Sequence, residues 1–285
     1  MIHYEGTLYR PPSEANSLIL QATIGCSYND CTFCGMYLGK KFRVRKIDEL
    51  KKEIEWAKSQ APWTRKVFLA DGDAIMARAS FLGEVCDLLN QAFPKLRRIS
   101  VYASPQSLQV RSVDEMAALR QKGLTQYYVG LESGHDPTLL RLKKGVNAEE
   151  WVAAADKATQ AGIKLSAMIL LGAGGPEALV AHATASAALV NQIQPRFLST
   201  LVMTPHPGTP LAAQFDRGEW RESTASQLSR ELYIFLQSLE LNATIFRSNH
   251  VSNLDVLAGT FPKDKKSLLD SVRQLAVQRG IDFEV

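Results

Sequence analysis

Short apolar runs alternate with stretches of helical periodicity along most of this chain. Ser17–Ile24 (SLILQATI), Lys66–Ala70 (KVFLA), Arg98–Ala103 (RISVYA), Gln126–Leu131 (QYYVGL), Ile163–Leu171 and Arg196–Met203 each read as a strand, being apolar, β-rich and short. Between them, apolar residues recur at helical spacing: Ile47, Leu50, Ile54 and Ala57; Leu82, Val85 and Leu89 around Cys86; Val113, Met116 and Leu119. Two more helices follow, one over Trp151–Gln160 ended by Gly162 and an Ala-rich one over Glu177–Gln192. Strands that alternate with helices predict a parallel sheet, because each strand needs a crossover to reach the next. Right-handed crossovers leave a doubly wound sheet or a barrel, and six units fall short of the eight of a closed barrel. The expected fold class is α/β, a partial (β/α)6 TIM-like barrel.

After Pro210 the pattern changes. Leu228, Leu232, Phe235, Leu236 and Leu239 mark a helix, Thr244–Arg247 an extended run, and Lys265–Gln278 a last helix. The expected organisation is a barrel domain over residues 1–211 and a C-terminal α/β extension over 212–285, packed on the barrel. In either parallel fold the site lies at the C-terminal ends of the strands. Just past successive strand ends come Cys26, Asp71-Gly72-Asp73, Ser104, Glu132-Ser133, Gly172-Ala173-Gly174-Gly175 and Thr204-Pro205-His206.

Composition narrows the setting but not the chemistry. The 285 residues, 46% hydrophobic, can build a full-sized core, and the longest apolar runs are far too short to span a bilayer. The N-terminus lacks a secretory pattern, so a cytoplasmic protein with no membrane association is expected. The formal charge of +4 suits almost any partner. Its one local concentration, Lys40–Lys46, is a solvated loop or a patch for an anionic ligand.

Three of the four cysteines, Cys26, Cys31 and Cys34, fall within nine residues, while Cys86 sits in an apolar helical pattern and reads as a core thiol. Such a cluster argues for a metal site rather than a disulfide framework. Three thiolates can hold three irons of a [4Fe–4S] cube and leave the fourth open, since four cysteines normally complete such a cluster. Zinc, which closes with four Cys or His ligands, and a ferredoxin-like carrier remain the alternatives at this point.

The stretch from Thr23 to Tyr37, with Phe33 before the third cysteine, resembles the cluster loop of the radical S-adenosylmethionine (SAM) superfamily. Its spacing is four residues then two, where three then two is usual. Asp71-Gly72-Asp73 resembles the family's turn for the SAM amino group, with Asp73 in the acidic role, one methylene shorter than usual. Gly130-Leu131-Glu132-Ser133-Gly134 resembles the fourth-strand motif that reaches SAM. Leu140-Arg141-Leu142-Lys143-Lys144-Gly145 resembles a segment that supplies a basic residue to the SAM carboxylate, from Arg141, Lys143 or Lys144. Ile169–Gly175, with Leu170 and Gly172, resembles the fifth-strand motif that packs on adenine, and Pro207–Leu211 a turn after the sixth strand. The branch resembled holds oxygen-independent coproporphyrinogen oxidases, the Elongator catalytic subunit and methylthiotransferases.

The resemblance implies Cys26, Cys31 and Cys34 as ligands of a [4Fe–4S] cluster, SAM as cofactor, and an external electron donor such as a flavodoxin or ferredoxin. It implies SAM contacts at Phe33, Asp71, Gly72, Asp73, Ser104, Glu132, Ser133, Leu170, Gly172 and the basic segment. Substrate, expected to be a small molecule rather than a macromolecule, is assigned to Tyr28, Tyr102, His206, Asn249, His250 and Asn253. Plainer roles stand beside these: Asp71 and Asp73 as helix caps, Glu132 as a satisfied strand-end carboxylate, and the His250 segment as a capped turn. The rival functions are a zinc- or cluster-stabilised binding scaffold and a SAM-independent [4Fe–4S] hydro-lyase.

Overall fold

A computed structural model describes residues 1–281 of the chain. It opens with β1 (Leu18–Gln21), β2 (Thr23–Ile24), β3 (Arg43–Val44), α1 (Ile47–Gln60), β4 (Lys66–Ala70), α2 (Ala79–Ala92) and β5 (Arg98–Tyr102). Then come α3 (Pro105–Val110), α4 (Val113–Gln121), β6 (Leu124–Glu132), α5 (Asp136–Arg141), α6 (Ala148–Gln160), β7 (Lys164–Leu171) and α7 (Leu179–Ile193). The chain continues through β8 (Phe197–Val202), α8 (Pro210–Asp216), α9 (Ala225–Ser238), β9 (Ile245–Ser248), β10 (Leu257–Thr260) and α10 (Lys265–Gln278).

Eight strands form one sheet in the order β1-β4-β5-β6-β7-β8-β9-β10. Neighbours from β1 through β6 pair in parallel, as do β7, β8 and β9, and the edge strand β10 runs antiparallel to β9. The six strands expected from the sequence are present, with one difference. The Ser17–Ile24 run is two strands, because β1 pairs with β4 whereas β2 turns away to pair antiparallel with β3. The sheet also continues past β8, since β9 and β10 of the C-terminal region join it directly.

Contacts divide the chain into two compact units, and β6 and β7 run through both. The first holds Met1–Asn29, Met36–Val129 and Ala154–Leu165. Here β4 is buried along four of its five residues, as a strand covered on both faces should be. Phe68 and Ala70 share a cluster with Tyr128, Leu8, Ile19 and Tyr102. The rings of Phe68 and Tyr102 meet edge-on at 5.1 Å. Below them Glu14, fully buried, accepts hydrogen bonds from Arg98 Nη2 at 2.6 Å and Tyr128 Oη at 2.5 Å. Burial first, and this bond second, push the Tyr128 phenol well above its ordinary range. The buried carboxylate is thus paired, as its burial requires.

The second unit holds Asp30–Gly35, Gly130–Ala153 and the described residues from Ser166 on. Helices α7 and α9 pack together, and α10 packs on α9. A core of Leu142, Leu170, Ala173, Met203, Leu211 and Trp220 is joined by Phe33 and Leu201. Among the described residues no helix is long and apolar enough to cross a membrane.

Phe68 is completely buried at the centre of its cluster. Phe68→Ala should lower unfolding stability by about 3–5 kcal/mol, measured as a fall in the urea midpoint at unchanged m-value.

Candidate functional site

The cysteine loop starts at Gly25, whose φ of +74° turns the chain out of β2, and the loop continues to Gly35. Cys26 belongs to the first unit, Cys31 and Cys34 to the second. Within the second unit Thr32 fastens the loop at both backbone groups. Its N–H donates to the Leu142 carbonyl at 3.0 Å and its carbonyl accepts from Leu211 N at 2.9 Å. Its hydroxyl adds a bond to the Arg141 carbonyl at 3.2 Å. Gly35 has no room for a side chain, because a Cβ there would stand 2.1 Å from the His206 ring. All three thiols are half-buried, whereas Cys86 is fully buried on α2. Burial pushes the Cys86 thiol up to about 12, so it stays protonated and is no thiolate ligand. Among the described residues no three His, Cys, Asp or Glu side chains are gathered closely enough to hold a single metal ion.

In the first unit the acidic turn follows β4. Asp71 Oδ2 accepts from Gln21 Nε2 and Gly25 N, both at 3.1 Å, and from Lys40 Nζ at 2.9 Å. Its Oδ1 is buried with no partner among the described residues. Asp73 accepts from Ser104 N at 3.0 Å, Ser104 Oγ at 2.7 Å and Ser27 Oγ at 2.5 Å. Neither acid caps a helix: Asp73 makes no cap bond to the 3₁₀ turn that follows, and the N-cap of α2 is Arg78. The helix-cap role is thereby replaced by another, since both carboxylates satisfy backbone N–H groups of neighbouring segments. Gly72 lies under the Tyr37 ring, which a Cβ would meet at 2.5 Å. Tyr28 is half-buried, and Tyr102 packs against Phe68 and Tyr128.

The basic run beside this turn is largely neutralised within its own unit. Lys40 pairs with Asp71, Arg43 with Glu5, and Arg45 with Glu53 at 2.9 Å and Glu49 at 3.2 Å. Arg43 stays exposed, as the solvated-loop reading expects, whereas Lys40 and Arg45 are largely covered and staple the run to the acidic turn and to α1.

In the second unit β6 ends at Glu132, held at a φ of +65°. The side chain folds back over Gly130, where a Cβ would lie 1.9 Å from Glu132 Oε1. Lys144 Nζ donates to that oxygen at 2.9 Å and stands 6.0 Å from the Phe33 ring centre. This separates the three basic candidates. Arg141 donates to the Ala173 carbonyl, and Lys143 is exposed. Ser133 Oγ accepts from His135 N at 2.9 Å and so opens the turn into α5.

The glycine turn after β7 begins at Gly172, with a φ of +80°. Its N–H donates to Glu231 Oε2 at 2.8 Å, and Glu231 Oε1 faces His182 Nδ1 at 2.6 Å. Leu170, just before the turn, packs in one core with Phe33 and Trp220. Glu231, His182 and Trp220 escaped the sequence analysis. For Glu231 a signal existed: it is charged, yet falls on the apolar stripe Leu228, Glu231, Leu232, Phe235.

His206 is exposed beside a groove of about 700 Å³ lined by Thr204, Pro205, Thr209, Phe215, Asp216 and Glu222, among others. The Asn249–Asn253 segment makes the hydrogen bonds of a capped turn. His250 Nδ1 lies 2.8 Å from Ser252 Oγ, and Ser252 Oγ accepts from Val202 N at 3.1 Å. Asn253 Nδ2 donates to the Thr200 carbonyl at 2.7 Å, so the turn is docked on β8, and Asn249 is exposed.

A family model for the Radical SAM superfamily matches residues 20–182, more than half of the chain. The uncharacterized protein MJ0486 of Methanocaldococcus jannaschii is 24% identical over 226 residues, which cover 76% of this chain and 69% of that protein. Methylornithine synthase (PylB) superposes with a TM-score of 0.55 at 16% identity, covering 94% of this chain and 83% of that one. Coproporphyrinogen III oxidase (HemN) from Escherichia coli, a radical SAM enzyme, gives 0.55 at 16% identity, covering 78% of this chain and 52% of that one. This chain therefore matches about half the length of HemN. The likeness to both structures is one of fold, an α/β partial TIM-like barrel.

Thiol chemistry checks the cysteine assignments directly. Brief iodoacetamide treatment of the reduced native protein near pH 8 should modify Cys26, Cys31 and Cys34 by mass spectrometry, and Cys86 only after denaturation.

Proposed function

This chain belongs to the radical SAM superfamily, and we propose that it is an enzyme that holds a [4Fe–4S] cluster on Cys26, Cys31 and Cys34 and binds SAM beside it. The observation that carries this reading is the state of the four thiols. Three are half-buried on one nine-residue loop, and the fourth is fully buried and held protonated. Three thiolates leave one iron of the cube open to an outside ligand. When bound, the pair supplies one-electron reductive cleavage of SAM and a 5′-deoxyadenosyl radical that takes hydrogen from substrate.

The residues present fit such a cofactor. Asp71 and Asp73 offer acceptor oxygens to an amino group, and Asp71 Oδ1 is buried with no other partner among the described residues. Ser104 and Ser27 hold the Asp73 carboxylate in place, and Gly72 keeps the turn narrow under Tyr37. Lys144, oriented by Glu132, is the cation assigned to the SAM carboxylate, and Arg141 Nη2 donates to the Ala173 carbonyl. Lys143 takes no direct part in this assignment, and Ser133 shapes the turn behind Glu132. Phe33 and Leu170, which share one core with Ala173 of the glycine turn, form an apolar wall for the nucleoside next to Gly172.

A small-molecule substrate would reach His206 first, the exposed imidazole nearest the cysteine loop in its unit. Tyr28 and Tyr102 stand as further contacts. Asn249, His250 and Asn253 would act mainly by holding their turn against β8. Reducing equivalents come from an external carrier such as a flavodoxin or ferredoxin, in the cytoplasm. Residues 1–211 carry the radical SAM machinery, and 212–285 extend it.

The test is anaerobic. Reconstituted wild-type protein with dithionite and SAM should form 5′-deoxyadenosine, and Cys34→Ala should fall to background with loss of iron. Wild-type protein that carries an intact cluster yet neither binds nor cleaves SAM would favour the hydro-lyase, and stoichiometric zinc in place of iron the scaffold.

A further inference from the structure

The buried pair of Glu231 and His182 has no place in the assignments above, although it touches the glycine turn at two points. A strand that ends in a turn leaves backbone N–H groups outside the ladder, and a buried one must find an acceptor. At the end of β7 that group is Gly172 N, and Glu231 Oε2 accepts from it at 2.8 Å. His182 Nδ1 donates to the other oxygen at 2.6 Å. Glu231 is 1% exposed and His182 is completely buried. His182 in turn limits the far side of the turn, because a Cβ on Gly174 would lie 2.8 Å from His182 Cβ. The turn closes on itself through Gly175 N and the Gly172 carbonyl at 2.9 Å. One carboxylate on α9 and one imidazole on α7 therefore hold it from both ends.

Packing alone does not call for an acid here. Leu228, Leu232 and Phe235 flank Glu231 on the same helix face, and all are buried. An apolar side chain would fill the position without the cost of burying a carboxylate. We propose that Glu231 is a positioning residue for SAM: it sets the Gly172–Gly175 turn in the conformation that receives the nucleoside, with His182 orienting the carboxylate. The inference rests on the SAM-binding reading and adds to it a residue remote in sequence from every motif.

The test compares reconstituted wild type, Glu231→Gln and Glu231→Leu. Iron content, melting temperature, SAM Kd by anaerobic equilibrium dialysis, and KM and kcat for 5′-deoxyadenosine formation are measured on each. Glu231→Leu should raise Kd and KM for SAM about tenfold, the usual scale for removing a supporting hydrogen bond. Iron per chain should not change, and kcat at saturating SAM should hold within about twofold. Glu231→Gln keeps an acceptor for Gly172 N and should restore most of the affinity. If Glu231→Leu does not fold, Glu231→Asp carries the test, because it keeps the charge and withdraws the acceptor by one methylene. Wild-type affinity in the Leu variant (or in the Asp variant where it substitutes), or a Gln variant no better than Leu, overturns this inference alone. Wild-type protein that takes up no SAM overturns it together with the reading beneath it.

Discussion

A strand that ends inside a protein leaves a backbone N–H that its ladder no longer satisfies, and in this chain acidic side chains meet that demand. Asp71 takes the N–H of Gly25 beyond β2, Asp73 that of Ser104 beyond β5, and Glu231 that of Gly172 beyond β7. Ser186 does the same for Gly134 beyond β6. Each bond fixes the direction in which a loop leaves its strand. The loops so fixed carry the cysteine triad, Ser104, the turn after Glu132 and the glycine turn. What looks like a row of functional motifs is first a row of solutions to one hydrogen-bonding problem.

The charges follow from the same constraint. A buried carboxylate that accepts backbone donors still needs a cation or a further donor nearby. Lys40 meets Asp71, Lys144 meets Glu132, and His182 meets Glu231. This is why three of the five cations of the Lys40–Lys46 run are drawn to carboxylates of their own unit. Lys40, Arg43 and Arg45 are used in pairs, and Arg45 reaches both Glu53 and Glu49 of α1. The same economy singles out Lys144 among its neighbours. Two adjacent lysines with near-identical local sequence differ in that one is buried against a carboxylate and the other points to solvent.

Close approach is the second recurring device. Gly35 lies against the His206 ring, Gly72 under Tyr37, and Gly130 under the Glu132 carboxylate. None of the three has a positive φ, so a substitution there would meet a neighbouring side chain rather than backbone strain. In the second unit Phe33, Leu142, Leu170 and Trp220 share a core of their own.

Local pattern determined most of the scaffold. The runs KVFLA and RISVY and the helix Lys265–Gln278 stand where their periodicity placed them, because side-chain alternation and helical spacing are properties of adjacent residues. The cysteine spacing and the core position of Cys86 were legible for the same reason. The tertiary structure alone decided what the polar groups do. Whether Asp73 caps a helix or holds Ser104, which base faces Glu132, and whether His250 sits in a docked turn depend on partners far along the chain. Glu231 and Gly172 are 59 residues apart, and Asn253 and Thr200 are 53. A hydrogen bond is short and directional, so its partner is chosen by the packing of whole elements, which no window of sequence contains.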